Sequence, residues 1–567
     1  MKSFAGLMPS RRTVLAIVGL VWQLPTATAG SEPFQFGLRR GVVDKTLASF
    51  ASQQTHDPTR VVLKFAERTR VRLREEELRS LAGADIEDVV AYLRSIAGLG
   101  ISRYFPRDES LFDAEKQAAE RRSNASLPDL NLYYLLALPE TTTLADATLI
   151  VNRLNQFDQV EIAYIRPLEF DTDVASVGGR VVPIREAVAR PPAGLDVTPD
   201  FTDLQGYLFD PEPGVNAPYA WTVPGGRGEG VFIIDVERGW NWNHEDLPQP
   251  FFHDPANPPP SDVNHGTAVL GELGGKNNGF GVLGIVHAAA LGGANRLDAG
   301  SAAAVNLAAA NLPVGGFILI EVQVSGPGGF LPMEWEQATF DATLSATAAG
   351  KHVVAAGGNG SRNLDDPIYN NAFNRGFRDS GAVIVGAGTP LTHVAESFSN
   401  YGSRMDANGW GSSVTSTGYG DLYNGGGTNS WYTDGFSGTS SASPIVTGSA
   451  AAVQGVALAG GPGNLPPLDL RQLITDTGTP HRDPTRNIGP RPNLEAAINA
   501  LLSLSGDLDG DGDVDLSDFT IFQLCFGGSN NPPAPTCPPG VDADLDGDGD
   551  VDLADFLIFQ QNFTGSL

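Results

Sequence analysis

Three short segments of the sequence carry an aspartate, a histidine and a serine that suit nucleophilic catalysis. Asp235 ends the apolar run 230–234, His265 lies in Asn-His-Gly-Thr, and Ser440 lies in Gly-Thr-Ser-Ser-Ala-Ser-Pro. A serine hydroxyl is a weak nucleophile that needs an imidazole to accept its proton and a carboxylate to orient that imidazole. These segments therefore predict an acyl-transfer site in which Asp235, His265 and Ser440 form the triad.

A fourth polar residue, Asn359, follows another apolar run and carries a side-chain amide that can stabilise an oxyanion. We expect the backbone N–H of Ser440, at the start of a predicted helix, to be the second donor. A rival histidine, His244, is not followed by small residues, and we interpret it as structural. A lipase or esterase would place its nucleophile within Gly-x-Ser-x-Gly, and Ser440 does not lie in such a motif.

The elements that must position these groups alternate between strand-like and helix-like segments across residues 201–503. The runs 230–235 and 351–356 have the pattern of buried strands, and 445–455 has that of a helix. This alternation predicts a parallel α/β domain, in which active groups lie at the carboxyl ends of the strands.

These motifs together resemble those of the subtilisin-like serine peptidases, the subtilase family, over about residues 220–500. The family's D-x-G-type strand matches 234–237, its H-G-T motif matches 265–267, and its G-T-S-x-A-x-P motif matches 438–444. Segments 398–402 and 487–493 support the match. The resemblance implies a subtilisin-like parallel sheet and a serine endopeptidase that hydrolyses protein or peptide substrates through an acyl-enzyme.

The resemblance also implies that Ser325 and Gly326 belong to the strand that pairs with extended substrate. Two positions depart from the family pattern: Glu237 stands where Gly is usual, and Ala268 stands where many members have His. We expect neither position to carry the chemistry. The alternative function is a non-catalytic extracellular calcium-binding adhesion or scaffold protein that keeps a peptidase-like fold.

The N-terminal part of the chain predicts export. Residues 1–29 combine basic residues, a short apolar run and Ala-Thr-Ala, which is typical of a secretory signal peptide of the Sec or twin-arginine type. Residues 30–170 alternate strands and helices in a small α+β domain that is similar to a subtilase inhibitory propeptide. An unrelated accessory domain is the alternative. Residues 171–200 are interpreted as a linker. We expect a secreted protein with no membrane span. A periplasmic or surface-attached location is left open.

The C-terminal segment 504–567 contains a duplicated acidic loop, 507–518 and 544–555. Each copy has Asp at positions 1, 3, 5, 7 and 12 and Gly at position 6, which suits Ca²⁺ and its preference for oxygen ligands around a sharp turn. Asp at position 12 departs from the EF-hand and resembles dockerin type I domains, with helices at 519–526 and 556–563. We predict two Ca²⁺ sites, with further sites in the catalytic domain left open. The predicted ligands are Asp507, Asp509, Asp511, Asp513, Asp518, Asp544, Asp546, Asp548, Asp550 and Asp555.

The resemblance to dockerins implies a cohesin-type partner, and a free-standing calcium module is the alternative. Export favours a disulfide between Cys525 and Cys537 over a structural metal site, because neither cysteine has a further cysteine or histidine nearby.

The 567-residue chain has 37 basic and 66 acidic residues and a net charge of −29. Such a charge disfavours nucleic-acid binding, which requires basic surfaces.

Overall fold

The computed structural model describes residues 38–43, 45, 55–172, 197–254, 263–297, 299–460, 463–504, 506–509 and 514–563. The predicted signal peptide and most of the predicted linker therefore lie outside the described residues.

The N-terminal domain contains a four-stranded antiparallel sheet in the order β4-β5-β1-β6, as its alternating sequence predicts. A capping box between Thr143 and Asp146 starts the third helix and satisfies backbone N–H groups at its beginning. The elements are β1 (His56–Phe65), β2 (Val71–Arg74), β3 (Glu77–Ser80), α1 (Glu87–Ser95), β4 (Gly100–Arg103), α2 (Glu109–Ser123), β5 (Tyr133–Ala137), α3 (Leu144–Leu154) and β6 (Val160–Pro167).

A further short strand, β7 (Glu169–Asp171), crosses the boundary predicted at residue 170. Its backbone pairs with the antiparallel strand β12 (Val322–Gly326) of the following domain. The predicted linker therefore begins one residue too early. Asp171 continues β7, because β12 supplies hydrogen bonds that the local sequence does not reveal.

The second domain is built on a parallel sheet of seven strands, in the order β16-β15-β14-β11-β8-β10-β9. This confirms the predicted α/β class. The strands are β8 (Phe232–Glu237), β9 (Phe252–His253), β10 (Ala290–Asn295), β11 (Phe317–Ile320), β14 (His352–Ala356), β15 (Val383–Gly388) and β16 (Ala407–Trp410). Outside this sheet lie β13 (Gly329–Pro332), β17 (Val414–Thr417) and β18 (Tyr432–Phe436).

Helices cover both faces of this sheet. One face packs on α5 and α8, and the other shares a single apolar core with α6, α7 and the N-terminal domain. The helices are α4 (Ala217–Ala220), α5 (Asn264–Gly274), α6 (Ser301–Ala310), α7 (Gln337–Ala348), α8 (Thr439–Gly460), α9 (Pro467–Asp476) and α10 (Leu494–Leu504). Among the described residues, α8 alone is long and apolar enough to cross a membrane, and 89% of its apolar window is buried within the structure.

The C-terminal segment forms two helices, α11 (Leu516–Cys525) and α12 (Leu553–Gln561), around a small aromatic core. Each helix begins three residues earlier than predicted, because Asp515 and Asp552 act as N-caps within capping boxes. Cys525 and Cys537 form the predicted disulfide.

Candidate active site

The imidazole of His265 lies against the last residue of strand β8. Its Nδ1 makes a short hydrogen bond with Oε1 of Glu237, whose Oε2 accepts from the backbone N–H of Arg238 at 3.0 Å. His265 is the second residue of α5, which approaches the loop after β8 so closely that a Cβ on Gly266 would lie 2.6 Å from the Gly239 carbonyl oxygen. Both side chains of the pair are buried. The structure thus gives His265 a glutamate as its orienting group.

The prediction that Asp235 orients His265 is therefore corrected. Asp235 lies two residues earlier on β8, and its Oδ2 accepts from the indole N–H of Trp240 at 2.8 Å. Burial, and then the neighbouring Glu237 charge, raise the pKa of Asp235 well above its usual value. A carboxyl group whose ionisation is disfavoured in this way is poorly suited to stabilise an imidazolium.

The expectation that Glu237 carries no chemistry is corrected by the same geometry. The sequence did contain a signal for it, because Glu237-Arg238-Gly239 has the order acid-x-Gly of the family motif with Glu in place of Asp. Glu237 is also the last residue of its strand, and the carboxyl end is where active groups of parallel sheets lie.

Another buried carboxyl of this region belongs to Glu321, between β11 and β12. Its Oε2 lies 3.3 Å from the hydroxyl of Thr172. Burial, followed by the charges of Asp235 and Glu237, raises the pKa of Glu321 well above its usual value. Burial thus disfavours the ionised forms of both Asp235 and Glu321, which lie near the Glu237–His265 pair.

Ser440 and Asn359 converge on one carbonyl oxygen, that of Thr172. The Ser440 hydroxyl donates to it at 2.7 Å, the Asn359 Nδ2 donates at 2.6 Å, and the Ser440 backbone N–H points at it from 3.5 Å. A Cβ on Gly438, at φ +114°, would lie 2.0 Å from this oxygen, so the glycine opens the space that the carbonyl occupies. The Ser440 hydroxyl thus bonds to Thr172 rather than to His265.

The amide of Asn359 is held in the orientation that makes it a donor. Its Oδ1 accepts from the backbone N–H and the hydroxyl of Thr439, both at 3.0 Å. Its backbone N–H donates to the Gln323 side chain at 2.8 Å. Asn359 therefore presents Nδ2 to the carbonyl, the arrangement that oxyanion stabilisation requires.

The segment that delivers Thr172 lies along β12 as an extended strand. Val322, Gln323 and Val324 pair with Asp171, Phe170 and Glu169 in antiparallel register. The Ser325 N–H donates to the Leu168 carbonyl at 3.1 Å. Ser325 thus contacts the segment that leads to Thr172, and its role in substrate binding stays a prediction. Gly326 instead pairs with Gly329 in the hairpin to β13.

His244, interpreted as structural, is held by backbone groups. Its Nε2 lies 2.9 Å from the Trp431 carbonyl oxygen, and its Nδ1 accepts from the Asp246 N–H at 3.3 Å.

The duplicated C-terminal loops bring carboxylates together. Asp544, Asp546 and Asp548 have oxygens within 4.8 Å of one another, and so do Asp507, Asp509 and Asp518 in the first loop. Burial and, after it, the charges of three neighbouring aspartates raise the pKa of Asp546. Clustered carboxylates that repel one another are the donor set a hard cation such as Ca²⁺ prefers. Asp511 and Asp513 lie outside the described residues.

The aspartates at position 12 of the two loops have equivalent partners. Asp555 accepts from the N–H groups of Leu545 and Asp546 at 2.6 and 3.1 Å, and Asp518 accepts from those of Leu508 and Asp509 at 2.6 and 3.0 Å. Asp550 belongs to a third group of close carboxylates with Asp552 and Asp555. Sequence reasoning omitted Asp552, whose position 9 also serves as the helix cap.

Residues 226–495 match the family model described as the Subtilase family, and residues 505–564 match that of the dockerin type I domain. Alkaline elastase YaB from Bacillus sp. (strain YaB) is 33% identical over 249 residues, 42% of this chain and 58% of the relative. Subtilisin BL from Lederbergia lenta is 34% identical over 203 residues, 35% of this chain and 66% of the relative. The chain thus spans less than two thirds of either relative.

Fervidolysin from Fervidobacterium pennivorans, a keratinolytic enzyme related to subtilisin, has a solved structure that aligns with a TM-score of 0.47 and 16% identity. The alignment covers 82% of this chain and 63% of that one.

Proposed function

Because residues 226–495 form a subtilase-family domain that precedes a dockerin type I domain, we propose that the protein is an exported serine endopeptidase. The observation that carries the proposal is the position of the Thr172 carbonyl. It accepts from Ser440 and Asn359 while its own strand pairs with β12. A peptide held in this way is presented as a substrate, with the bond after Thr172 next to the nucleophile.

In the proposed mechanism, the Ser440 oxygen attacks the carbonyl carbon and its proton passes to Nε2 of His265. The Glu237 carboxylate stabilises the imidazolium that forms, through its hydrogen bond to Nδ1. The Asn359 amide and the Ser440 N–H stabilise the oxyanion. His265 then protonates the leaving amine. In the second step His265 deprotonates a water molecule, which attacks the acyl carbon, and His265 returns the proton to the Ser440 oxygen as the acyl group leaves.

The N-terminal domain acts in this proposal as a prosegment, residues 30–172, which the enzyme cuts from itself after Thr172. Polar contacts support its role as a docked inhibitor. The Tyr104 and Tyr164 hydroxyls both donate to Glu336 at 3.2 Å, and the Tyr133 hydroxyl donates to Asp341 at 2.6 Å.

The C-terminal domain would hold two Ca²⁺ ions, one in each loop, through carboxylates at positions 1, 3, 5, 7, 9 and 12. Bound calcium would neutralise part of the repulsion in each loop and fix the helix that follows it. The domain would attach the enzyme to a cohesin-type partner outside the cell. Calorimetric titration of the full chain tests the calcium sites, since Asp546→Asn should remove one bound Ca²⁺ per chain. An unchanged stoichiometry would contradict the second site.

Labelling with a serine-directed fluorophosphonate tests the proposed activity. The purified wild type should incorporate label and should yield a mature N-terminus at Asp173, whereas Ser440→Ala should do neither. Ser449→Ala is a matched control, because Ser449 is buried in the same helix α8 and its hydroxyl donates to the Ile445 carbonyl. A folded wild type that neither takes label nor processes itself would refute the peptidase and favour the scaffold function.

A further inference from the structure

Two arginines lie beside residues 169–172, the segment that pairs with β12 and presents the Thr172 carbonyl to Ser440. Arg238 directly follows β8 and Arg296 directly follows β10, so both lie at the carboxyl ends of neighbouring parallel strands. The Arg296 N–H donates to the Glu237 carbonyl at 3.0 Å, and the Asn295 side chain donates to the Arg238 carbonyl. The backbone of the catalytic strand thus fixes the position of both arginines.

Asp171, the second residue before the proposed cleavage point, is held between these arginines. Arg238 contacts its Oδ2 at 2.6 Å, and Arg296 makes a short contact with its Oδ1. Burial alone would raise the pKa of Asp171, but the charges of His265, Arg296 and Arg238 outweigh it and lower that pKa. The carboxylate is therefore ionised and matched by cations of the peptidase domain.

Glu169, the fourth residue before that point, is also held by charge and hydrogen bonds. Its Oε2 accepts from the Ser301 hydroxyl at 2.8 Å at the start of α6 and lies 3.7 Å from Arg296. Arg166 contacts its Oε1 at 3.1 Å but belongs to the N-terminal domain and would leave with it. Phe170 between them packs on Phe330, and its side chain is 37% exposed.

Release of the N-terminal domain would leave this pocket without its carboxylates. With residues 169–172 bound, the Arg296 side chain is only 6% exposed, so a substrate in the same place buries this cation, and burying it without a partner is costly. A substrate with acids at the same two positions restores both contacts, whereas a neutral substrate leaves the cation unmatched.

We propose that the enzyme selects substrates with an acidic residue at the second and fourth positions before the cleaved bond, and that Arg238, Arg296 and Ser301 determine this specificity. The inference rests on the proposed peptidase function and names its substrate class: acidic segments of the form Glu-x-Asp-Thr.

Hydrolysis of fluorogenic peptides by the processed enzyme tests the specificity. The reference peptide has the sequence of residues 167–176, and two variants replace Asp171 by Asn or Glu169 by Gln. We expect kcat/KM to fall about 30-fold for the first variant and about tenfold for the second, since each substitution leaves a cation unpaired and partial exposure reduces the effect.

Enzyme variants provide the reciprocal test. Arg238→Gln should lose most of the preference for Asp over Asn at the second position, and Arg238→Glu should favour a peptide with Lys there. Arg227→Gln is the matched control, because Arg227 is exposed to a similar extent, 45% against 40%, and pairs with Glu229 instead. Arg238 is the residue to vary first, because its exposed side chain makes misfolding less of a concern than at Arg296.

Each outcome decides one claim. Equal cleavage of acidic and neutral peptides by a labelled, active enzyme would overturn the specificity and leave the peptidase intact. Absence of cleavage together with absence of fluorophosphonate label would refute the peptidase and the specificity with it. Loss of preference in Arg238→Gln but not in Arg227→Gln would support the assignment.

Discussion

The replacement of the expected aspartate by Glu237 leads to a direct test with two isosteric variants. Glu237→Gln keeps the size of the side chain but removes the charge that faces Nδ1 of His265. Asp235→Asn replaces a carboxyl whose ionisation burial disfavours and which accepts a hydrogen bond from Trp240. If Glu237 orients and stabilises the imidazole, the first variant should lose activity and the second should retain it.

The expected magnitude follows from the burial of the pair. The side chains of His265 and Glu237 are only 7% and 1% exposed, so water cannot replace the lost charge. Removing the charge of a triad carboxylate while keeping its shape lowers kcat by about 10⁴, or about 5 kcal/mol at 1.36 kcal/mol per tenfold. We expect Glu237→Gln to lose about 10³–10⁴ in rate and Asp235→Asn to stay within about threefold.

Self-processing is a suitable assay, because a severely impaired variant yields no mature enzyme to assay on peptides. The rate of cleavage after Thr172 is followed by electrophoresis and intact mass in refolded precursor, with thermal melts to show that each variant is folded. Glu237→Asp, which shortens the side chain by one methylene, should fall between the wild type and Glu237→Gln. Full processing by Glu237→Gln with slow processing by Asp235→Asn would refute the assignment and restore Asp235.

Further predictions concern the oxyanion donor, the interdomain contact and the C-terminal domain. Asn359→Ala should lower kcat by about 10²–10³ with a smaller change in KM, measured on peptide substrates. Burial would raise the pKa of Asp341, but the Arg40 charge outweighs it and holds that pKa far below 3.8. The ion pair between Arg40 of the N-terminal domain and Asp341 thus contributes fully to binding of the cleaved N-terminal domain above about pH 4. This contribution is lost on further acidification. Asp341→Asn should flatten that dependence in binding measurements. Replacing Cys525 and Cys537 by serine should destabilise the C-terminal domain by about 3 kcal/mol in thermal melts, given the short loop that the disulfide closes. Chelation of calcium should lower the melting temperature of the same domain, and an unchanged melt would contradict a structural metal.

The sequence predicted the fold class and named three of the four groups that carry the proposed chemistry, because these depend on local patterns. Alternating apolar runs indicated a parallel sheet. The motifs around His265 and Ser440 lie at the starts of helices α5 and α8, and Asn359 follows strand β14. Assigning the acid failed because the prediction took the end of the apolar run as the end of the strand and passed over the acid-x-Gly order of residues 237–239. The apolar run stops at Asp235, yet β8 continues for two more residues because β10 pairs with Val236 and Glu237 and β11 pairs with Val236.

The bound segment could not be predicted for a similar reason. Residues 169–172 have no strand pattern of their own, and their extended form depends on β12, more than 150 residues later in the chain. The roles of Arg238 and Arg296 are equally nonlocal, since each is an isolated basic residue until the sheet brings the ends of β8 and β10 together. The caps Asp515 and Asp552, by contrast, lay within the predicted loops, and the motif Asp-x-x-Asp could have placed the helix starts.

The shared apolar core of the N-terminal domain with α6 and α7 has a consequence for timing. Cutting one peptide bond removes a covalent link but leaves that core, and the tyrosine contacts to Glu336 and Asp341, in place. Newly folded molecules would therefore pass through an inactive period in which the bond after Thr172 is already cleaved but the N-terminal domain still occupies the active-site cleft. The length of this interval would depend on the dissociation rate of the domain, and not on the rate of chemistry at Ser440.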